Sequence, residues 1–251
     1  MATLKTRGIV LRRRVYGEAD RILTLLTPGL GKLDVIAKGA RRMKSKLGGH
    51  LELFYVVDWV LAEGRTWHVV TAAEAAEVFS ALREDLELVR QASHVAHLAA
   101  RVSLDGEGNP ALYALVERTL RALVPGYSPL VVRQFEWQLL FAIGNQPALG
   151  ACSHCGGALD AARLGLCPAR GGALCPRCLA EEAVHIPVQP ETLKLLRLFE
   201  RAPVVLADRL APVNEAILGE AERVTRAFLE HTLETSLVLP ATLSETAHAH
   251  R

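Results

Sequence analysis

The chain has 251 residues, of which half are apolar and 22% are charged, so its composition is globular and excludes a disordered chain. Its length allows one large domain or two to three smaller ones. No stretch approaches about 18 uncharged apolar residues, and Lys5 and Arg7 interrupt the N-terminus, so we expect neither a membrane span nor a signal peptide. These features predict a cytoplasmic protein, in which paired cysteines are more often metal ligands than disulfides.

The net charge of +2 conceals a strong asymmetry along the chain. Residues 1–50 contain twelve basic and three acidic residues, a net charge of +9. The remaining residues contain 17 basic and 24 acidic residues, a net charge of −7. Such a division indicates that the N-terminal part has a surface for a nucleic acid or an anionic membrane.

The first 77 residues show the patterns of β-strands and no clear helix. Glycine-containing turns follow the second strand, at 28–31, and the fourth, at 63–65. A sheet of five strands in fewer than 80 residues would expose unpaired edge strands, and closing the sheet into a barrel pairs those edges. The pattern therefore favours a small closed or partly open barrel. The predicted strands are 9–11, 21–27, 33–37, 51–61 and 66–71.

Beyond this segment the apolar residues recur at helical spacing. In the second predicted helix, Asn109 is a candidate N-cap and Pro110 occupies the first helical position. The helix at 130–143 is apolar on most sides, which predicts that it is buried. The polar segment Ser244–Arg251 is expected to fray. The five predicted helices are 79–102, 109–123, 130–143, 191–201 and 214–232.

Four of the five cysteines form two C-x2-C pairs with nineteen residues between the pairs. They are Cys152, Cys155, Cys175 and Cys178. This spacing is typical of a four-cysteine Zn²⁺ site, because each pair directs two thiolates at one point. Four thiolates complete a tetrahedron and leave no position for water, so we predict one structural zinc ion. The alternatives are two disulfides or free thiols.

The remaining cysteine, Cys167, lies between the two pairs. We interpret it as a small buried apolar residue, since free cysteine is often buried. His154 and His185 are alternative ligands that the spacing favours less.

The densest group of charges is the segment 37–46, which contains five cations and no acid. Three consecutive arginines in the first strand add a second group. Such cations neutralise phosphates and release counterions, whereas the alternative is a solvated loop without a partner. The candidate DNA-binding residues are Arg12, Arg13, Arg14, Lys38, Arg41, Arg42, Lys44 and Lys46.

Aromatic residues are nearly absent from these basic segments, and Tyr16 is the only ring close to one of them. We expect Phe54, Tyr55, Trp59 and Trp67 to be strand residues that lie mostly in the core. A platform for stacking single strands needs more exposed rings. The sequence therefore predicts phosphate-dominated binding with weak sequence specificity, open to both single and double strands.

The segment 17–27 (GEADRILTLLT), residues 31–33 (GKL) and residues 37–42 (AKGARR) resemble the bacterial recombination mediator family RecO. The order of a β-barrel, helices, a cysteine segment and further helices also matches, so the resemblance covers essentially the whole chain. It implies an α+β fold with an N-terminal five-stranded OB-fold barrel and a C-terminal α-helical domain with an inserted four-cysteine zinc finger. The corresponding domains are 1–78 (OB-fold), 79–149 (first helical part), 150–182 (zinc finger) and 183–251 (second helical part).

The resemblance also implies a function. Members of this family bind single- and double-stranded DNA and anneal complementary strands without ATP. They act with RecR and with the C-terminal tail of single-strand-binding protein to load RecA. The family's basic loop corresponds to Lys38, Arg41, Arg42, Lys44 and Lys46, and its zinc ligands correspond to the four paired cysteines. A cytoplasmic, nucleoid-associated location is expected.

Three other functions are compatible with parts of the sequence. An enzyme is the least favoured, because Gly29-Leu30-Gly31-Lys32 lacks the frame of a phosphate-binding loop and no hydrolase motif occurs. An RNA-binding OB-fold protein remains open, since phosphate contacts serve both polymers. A scaffold that recruits partners through its zinc segment also remains open.

Overall fold

The computed structural model describes residues 3–126, 128–204 and 213–234, so the predicted frayed tail Ser244–Arg251 lies outside the described residues. The chain forms two compact units that divide after residue 127. The first unit contains the barrel and two helices. The second contains three longer helices and the cysteine segment.

The first unit is built on a closed barrel of five strands, as the sequence predicts. Its strands are β1 (Thr3–Tyr16), β2 (Asp20–Thr27), β3 (Gly31–Ala37), β4 (Val56–Ala62) and β5 (His68–Glu77). Alternate residues of each strand point inward, so that Leu23, Leu25, Val35 and Trp59 pack together in the core of the barrel. The ring order is β1–β2–β3–β5–β4, and β1 pairs again with β4.

The barrel closes through one parallel pair, in which Val35 and Ile36 of β3 face His68 and Val69 of β5. The other four pairs are antiparallel. This arrangement confirms the expected OB-like barrel and leaves no unpaired strand edge in the ring.

The fourth strand begins at Val56, so the prediction that it starts at Leu51 is wrong. Residues 48–50 form a short 3-10 turn instead, and Phe54 adopts a left-handed backbone with φ of 70°. The Phe54 N–H donates to the Val10 carbonyl, which fastens this bend to β1. The fifth strand begins at His68 and runs to Glu77, later and longer than the predicted 66–71.

Two helices complete the first unit. Helix α1 (Leu86–Val102) begins seven residues later than predicted, because Phe79 precedes a 3-10 turn and the Asp85 carboxylate caps the helix by accepting from the Glu87 and Leu88 N–H groups. Helix α2 (Pro110–Leu123) begins as predicted, with the Asn109 side chain accepting from the Leu112 N–H.

The second unit contains helices α3 (Pro129–Ala142), α5 (Pro190–Arg201) and α6 (Glu215–Thr232), which correspond closely to the predicted helices. The buried Trp137 of α3 meets Phe228 of α6 edge to face, at a centroid distance of 5.8 Å. The Gln138 side chain of α3 donates to the Phe199 carbonyl at 2.7 Å. Among the described residues, no helix combines the length and the apolar character that crossing a membrane would require.

Candidate nucleic-acid interface and metal centre

The basic loop (residues 38–46) follows β3 and is fastened to the hairpin between β1 and β2. The Gly39 N–H donates to the Asp20 carboxylate at 2.7 Å. The Arg41 N–H donates to the Ala19 carbonyl at 2.9 Å, and the Arg41 guanidinium donates to the Glu18 carbonyl at 3.0 Å. Because these bonds hold its first half, the basic loop is a positioned element of the barrel.

The other cations of this loop are exposed and without partners. Within the described residues, none of their four side chains forms an ion pair or a hydrogen bond, whereas Arg41 is used to fasten the loop. Unpaired cations retain their full charge for an approaching phosphate. The four are Lys38, Arg42, Lys44 and Lys46.

The three consecutive arginines of β1 do not share one face of the strand, and their contact with DNA stays a prediction. Alternation along the strand places Arg12 and Arg14 on the outer face, where they meet His97 of α1 at 3.4 Å and Asp34 of β3 at 3.5 Å. The partial burial of His97, together with the charge of Arg12, lowers the pKa of its imidazole.

Arg13 points the other way and joins a charge cluster beside the segment between the basic loop and β4. The Glu52 carboxylate lies 2.5 Å from the Arg13 guanidinium and 3.6 Å from that of Arg21, and it accepts from Arg83 at 3.3 Å. Arg83 also donates to the Tyr55 hydroxyl at 2.7 Å and lies over its ring. Three guanidinium groups therefore surround one carboxylate.

Arg21 and Arg83 were not among the residues that the sequence predicted. Arg21 pairs with Ala37 at the end of β3, directly before the basic loop. The predicted hairpin of strands 21–27 and 33–37 already placed the first residue of one strand opposite the last residue of the other, and this was the available signal for Arg21. Arg83 comes from the 3-10 turn before α1, and no local pattern in the sequence connects it to Glu52.

The aromatic residues divide between the core and the surface. Phe54, Tyr55 and Trp59 are buried, as the sequence predicts, but only Trp59 is a strand residue, because β4 begins at Val56. Trp67 is not a strand residue of the core: it precedes β5, is partly exposed and packs edge to face on Tyr16. The prediction for Trp67 is therefore wrong.

The glycine segment that superficially suggests a phosphate-binding loop is the tight turn between β2 and β3. The Leu30 N–H donates to the Thr27 hydroxyl, and that hydroxyl donates to the Gly31 carbonyl. Gly31 has a φ of 61°, which favours glycine. The predicted hairpin turn is confirmed.

The four paired cysteines meet at one point in the second unit. Their sulfur atoms all lie within 4.8 Å of one another, close enough to share a metal ion. The Cys155 and Cys175 sulfurs are 3.7 Å apart, which is too long for a disulfide. It fits the edge of about 3.8 Å of a tetrahedron with zinc–sulfur bonds of about 2.3 Å. The donor set and its spacing therefore fit Zn²⁺.

Short elements hold these cysteines in place. The first pair lies in a turn in which the Gly156 N–H donates to the Cys152 carbonyl and Gly156 has a φ of 71°. The second pair follows a hairpin of β6 (Gly165–Cys167) and β7 (Gly172–Leu174), and Cys175 precedes the short helix α4 (Pro176–Glu181). A two-residue strand, β8 (Ile186–Pro187), pairs with β6.

The environment of the sulfurs affects their ionisation unequally. Burial raises the pKa of the Cys152 thiol, but the backbone N–H groups of Cys155 and Cys175 donate to its sulfur and bring its pKa down to about 6. Burial raises the pKa of Cys178 to about 12. Turns that donate N–H groups to sulfur stabilise thiolates, which are the form that binds a metal.

The other candidate ligands have different surroundings. Cys167 is buried in a cluster with Cys152, Cys175 and Cys178, as the sequence predicts for a small apolar residue, and is not one of the clustered ligands. His154 lies 3.5 Å from Arg170, and His185 lies 3.1 Å from the Glu182 carbonyl. Neither histidine belongs to the group of four.

The fold and the two sites define a class: an OB-like barrel with a positioned basic loop, joined to a helical unit that has a four-cysteine metal-binding cluster. The family model "Recombination protein O N terminal" matches residues 1–79, and "Recombination protein O C terminal" matches residues 83–238. The chain therefore belongs to the RecO family.

Similar relatives cover most of this chain. "DNA repair protein RecO" of Roseiflexus sp. (strain RS-1) is 38% identical over 231 residues, which cover 92% of this chain and 81% of the relative. The protein of the same name from Dehalococcoides mccartyi (strain CBDB1) is 37% identical over 92% of this chain and 90% of its own length. That of Moorella thermoacetica is 34% identical over 96% and 90%, respectively.

Proposed function

We propose that this protein is a recombination mediator in DNA repair. It binds single- and double-stranded DNA through the phosphate backbone and anneals complementary strands without ATP. With RecR it helps to load RecA onto DNA that is coated by single-strand-binding protein. Membership of the RecO family and the names of the relatives support this proposal.

The observation that carries the DNA-binding part is the set of four unpaired cations on a loop that three hydrogen bonds fasten to the barrel. Because the loop is positioned in advance, little ordering opposes the phosphate contacts. Arg12 and Arg14 on the outer face extend the basic surface, whereas Arg13 contributes through the cluster around Glu52. Arg41 holds the loop in place.

The proposed mechanism is electrostatic and not enzymatic. The basic surface neutralises the phosphates of two strands and lowers their mutual repulsion, so that base pairing drives annealing. The four cysteines hold one structural zinc ion and fill its coordination, which supports a role in folding the cysteine segment.

The partners are inferred from the family. RecR and the acidic C-terminal tail of single-strand-binding protein are the expected protein partners, with RecA loaded as a result. Adding RecR to the annealing reaction described below, followed by measurement of RecA filament formation on coated DNA, tests this part.

The test is the annealing of two complementary dye-labelled oligonucleotides coated with single-strand-binding protein, without ATP. We expect the protein to accelerate annealing, with an effect that declines as salt increases. Replacing Lys38, Arg42, Lys44 and Lys46 with Ala should abolish the acceleration. The magnitude of the slope of log affinity against log salt should fall by about 2.8 to 3.6, since each of the four phosphate contacts contributes about 0.7 to 0.9.

A matched control replaces four exposed cations elsewhere, Arg101, Arg118, Arg163 and Arg201, with Ala. This variant has the same net charge and should anneal like the original protein. Equal losses in both variants would show that only the total charge matters. Tighter binding to RNA than to DNA of the same sequence would instead support an RNA-binding function, and intact DNA binding without annealing would support a recruiting scaffold.

A further inference from the structure

Two aromatic rings outside the core meet on the surface of the barrel. The rings of Tyr16 and Trp67 contact each other at a centroid distance of 5.3 Å and an interplanar angle of 80°. Tyr16 is 46% exposed and Trp67 is partly exposed, whereas Trp59 in the core is 1% exposed. An edge-to-face pair occupies the edge of one ring and one face of the other, which leaves the opposite face of that second ring and the faces of the first outside the contact.

This aromatic pair lies at the same end of the barrel as the basic loop. Tyr16 ends β1 and pairs with Asp20 across the hairpin. The Asp20 carboxylate accepts from the N–H of Gly39, the second residue of the basic loop. Arg41 donates to the Glu18 and Ala19 carbonyls, which lie in the hairpin between Tyr16 and Asp20. Hydrogen bonds therefore connect the hairpin that carries Tyr16 to the loop that carries the unpaired cations.

An arginine lies two residues before each ring in the chain. Arg14 precedes Tyr16 by two residues on the same face of β1, and its side chain is 62% exposed. Arg65 precedes Trp67 by two residues and is exposed and unpaired among the described residues. Exposed rings in a segment that also carries exposed cations suit a polymer that alternates flat bases with phosphates.

We propose that Tyr16 and Trp67 form a stacking site for an unpaired nucleobase of single-stranded DNA. The basic loop holds the phosphates, and the rings hold a base that a duplex keeps stacked inside. The pair therefore contributes to binding of single strands and not of duplexes. This inference rests on the proposed DNA-binding function and adds to it a means of distinguishing the two forms of DNA.

A simpler, purely structural role of the pair is to pack the segment before β5 against the hairpin between β1 and β2. That role predicts a loss of stability on removal of either ring, with no dependence on the form of DNA. The ratio of single-strand to duplex affinity is therefore the quantity that separates the two roles.

The experiment measures fluorescence anisotropy of labelled oligo(dT) and of a labelled duplex of the same length with the full-length protein. In the variants Tyr16→Ala and Trp67→Ala, we expect affinity for oligo(dT) to fall about tenfold and duplex affinity to remain unchanged. Tyr16→Phe retains the ring and should bind oligo(dT) like the original protein. Val15→Ala, beside Tyr16 and 62% exposed, controls for loss of exposed apolar surface.

Tyr16→Leu keeps apolar bulk without an aromatic face, so it tests stacking even where the Ala variants lose stability. Titration of the original protein with oligo(dT) should quench its tryptophan fluorescence, and Trp67→Phe should lose most of that quenching. An unchanged affinity ratio in Tyr16→Leu and Trp67→Ala, with quenching retained in Trp67→Phe, would overturn the stacking site. Failure of the original protein to bind either oligo(dT) or the duplex would instead reject the proposed DNA-binding function itself.

Discussion

Glu52 is a single acid among three arginines, and its position has consequences for binding. Its side chain and those of Arg13, Arg21 and Arg83 are all only 23–29% exposed. The cluster therefore has a net charge of +2 that solvent screens only in part. Arg21 adjoins the basic loop through its pairing with Ala37, so Glu52 limits the positive potential at this end of the barrel.

We expect Glu52→Gln to bind DNA severalfold more tightly and to unfold more easily. Loss of the carboxylate frees the arginines for phosphates but leaves three cations facing one another. The free energy of unfolding should fall by about 1 to 2 kcal/mol. Anisotropy with labelled DNA and urea unfolding measure the two effects. Glu63 is an exposed acid in the turn between β4 and β5, so Glu63→Gln is the control for net charge. It should increase DNA affinity only weakly.

His97 makes the stability of the first unit sensitive to pH. Burial and the neighbouring Arg12 lower the pKa of the folded imidazole below its unfolded value. As pH falls through the unfolded value of about 6.5, the unfolded chain takes up a proton before the folded chain does. Stability at this site is therefore complete above that pH, decreases as pH falls and reaches a constant lower level below the folded pKa.

The variant His97→Gln should remove this part of the pH dependence. We expect the difference in urea midpoint between about pH 7.5 and pH 5.5 to be smaller in the variant than in the original protein. An equal difference in both proteins would assign the acid sensitivity to other groups.

At the scale of elements, the turn between β2 and β3 depends on one glycine. A side chain at Gly31 would overlap the Leu104 and Glu107 carbonyls, and the φ of 61° is itself unfavourable for other residues. We expect Gly31→Ala to lower the free energy of unfolding by about 2 to 4 kcal/mol. Gly29→Ala, two residues earlier, meets nothing within 4 Å and should be nearly neutral. Comparable losses at both positions in urea unfolding would contradict this account.

The elements that the sequence predicted well are those with a strong local signal. Asn109 followed by Pro110 marks a helix start through its own chemistry, and the two C-x2-C pairs carry their geometry in their spacing. The predicted starts at Leu51 and Phe79 are wrong because an apolar residue just before a strand or helix extends the apolar pattern ahead of the element's true first residue. Asp85, an ordinary capping residue, was the available signal for the true start of α1.

The site was less predictable than the fold because it depends on how distant elements meet. Three adjacent arginines look like one group in sequence, although strand alternation separates Arg13 from Arg12 and Arg14. The contact of Tyr16 with Trp67 joins the end of the first strand to the start of the fifth, residues that are far apart in the sequence. Neither relation has a local pattern from which it could be deduced.

At the scale of the whole molecule, the candidate DNA-binding surface and the candidate metal site lie in different units. The unpaired cations of the basic loop belong to the first unit, and the thiolate cluster belongs to the second. Removal of a bound metal should therefore affect the two units unequally.

Chelation should loosen the cysteine segment and leave the barrel folded. Without the ion the four cysteine sulfurs lose the centre that joins them, and the short elements around them have only a small core of their own. Hydrogen exchange should increase by at least about tenfold at 150–180 and remain unchanged in β1–β5. DNA affinity should be retained. Unchanged exchange at 150–180 after complete metal removal would contradict a structural role for the ion.

The parallel pairing of β3 with β5 has a consequence for the order in which the barrel is made. The edge of β3 is complete at Ala37, but its partner begins only at His68. At a synthesis rate of about 5–20 residues per second, the edge of β3 stays unpaired for roughly 2 to 6 s before the first residue of β5 is made. An open edge can pair with another nascent chain, and flanking like charges oppose such pairing. We infer that the cations immediately after β3 also protect the growing chain from association before any nucleic acid is bound.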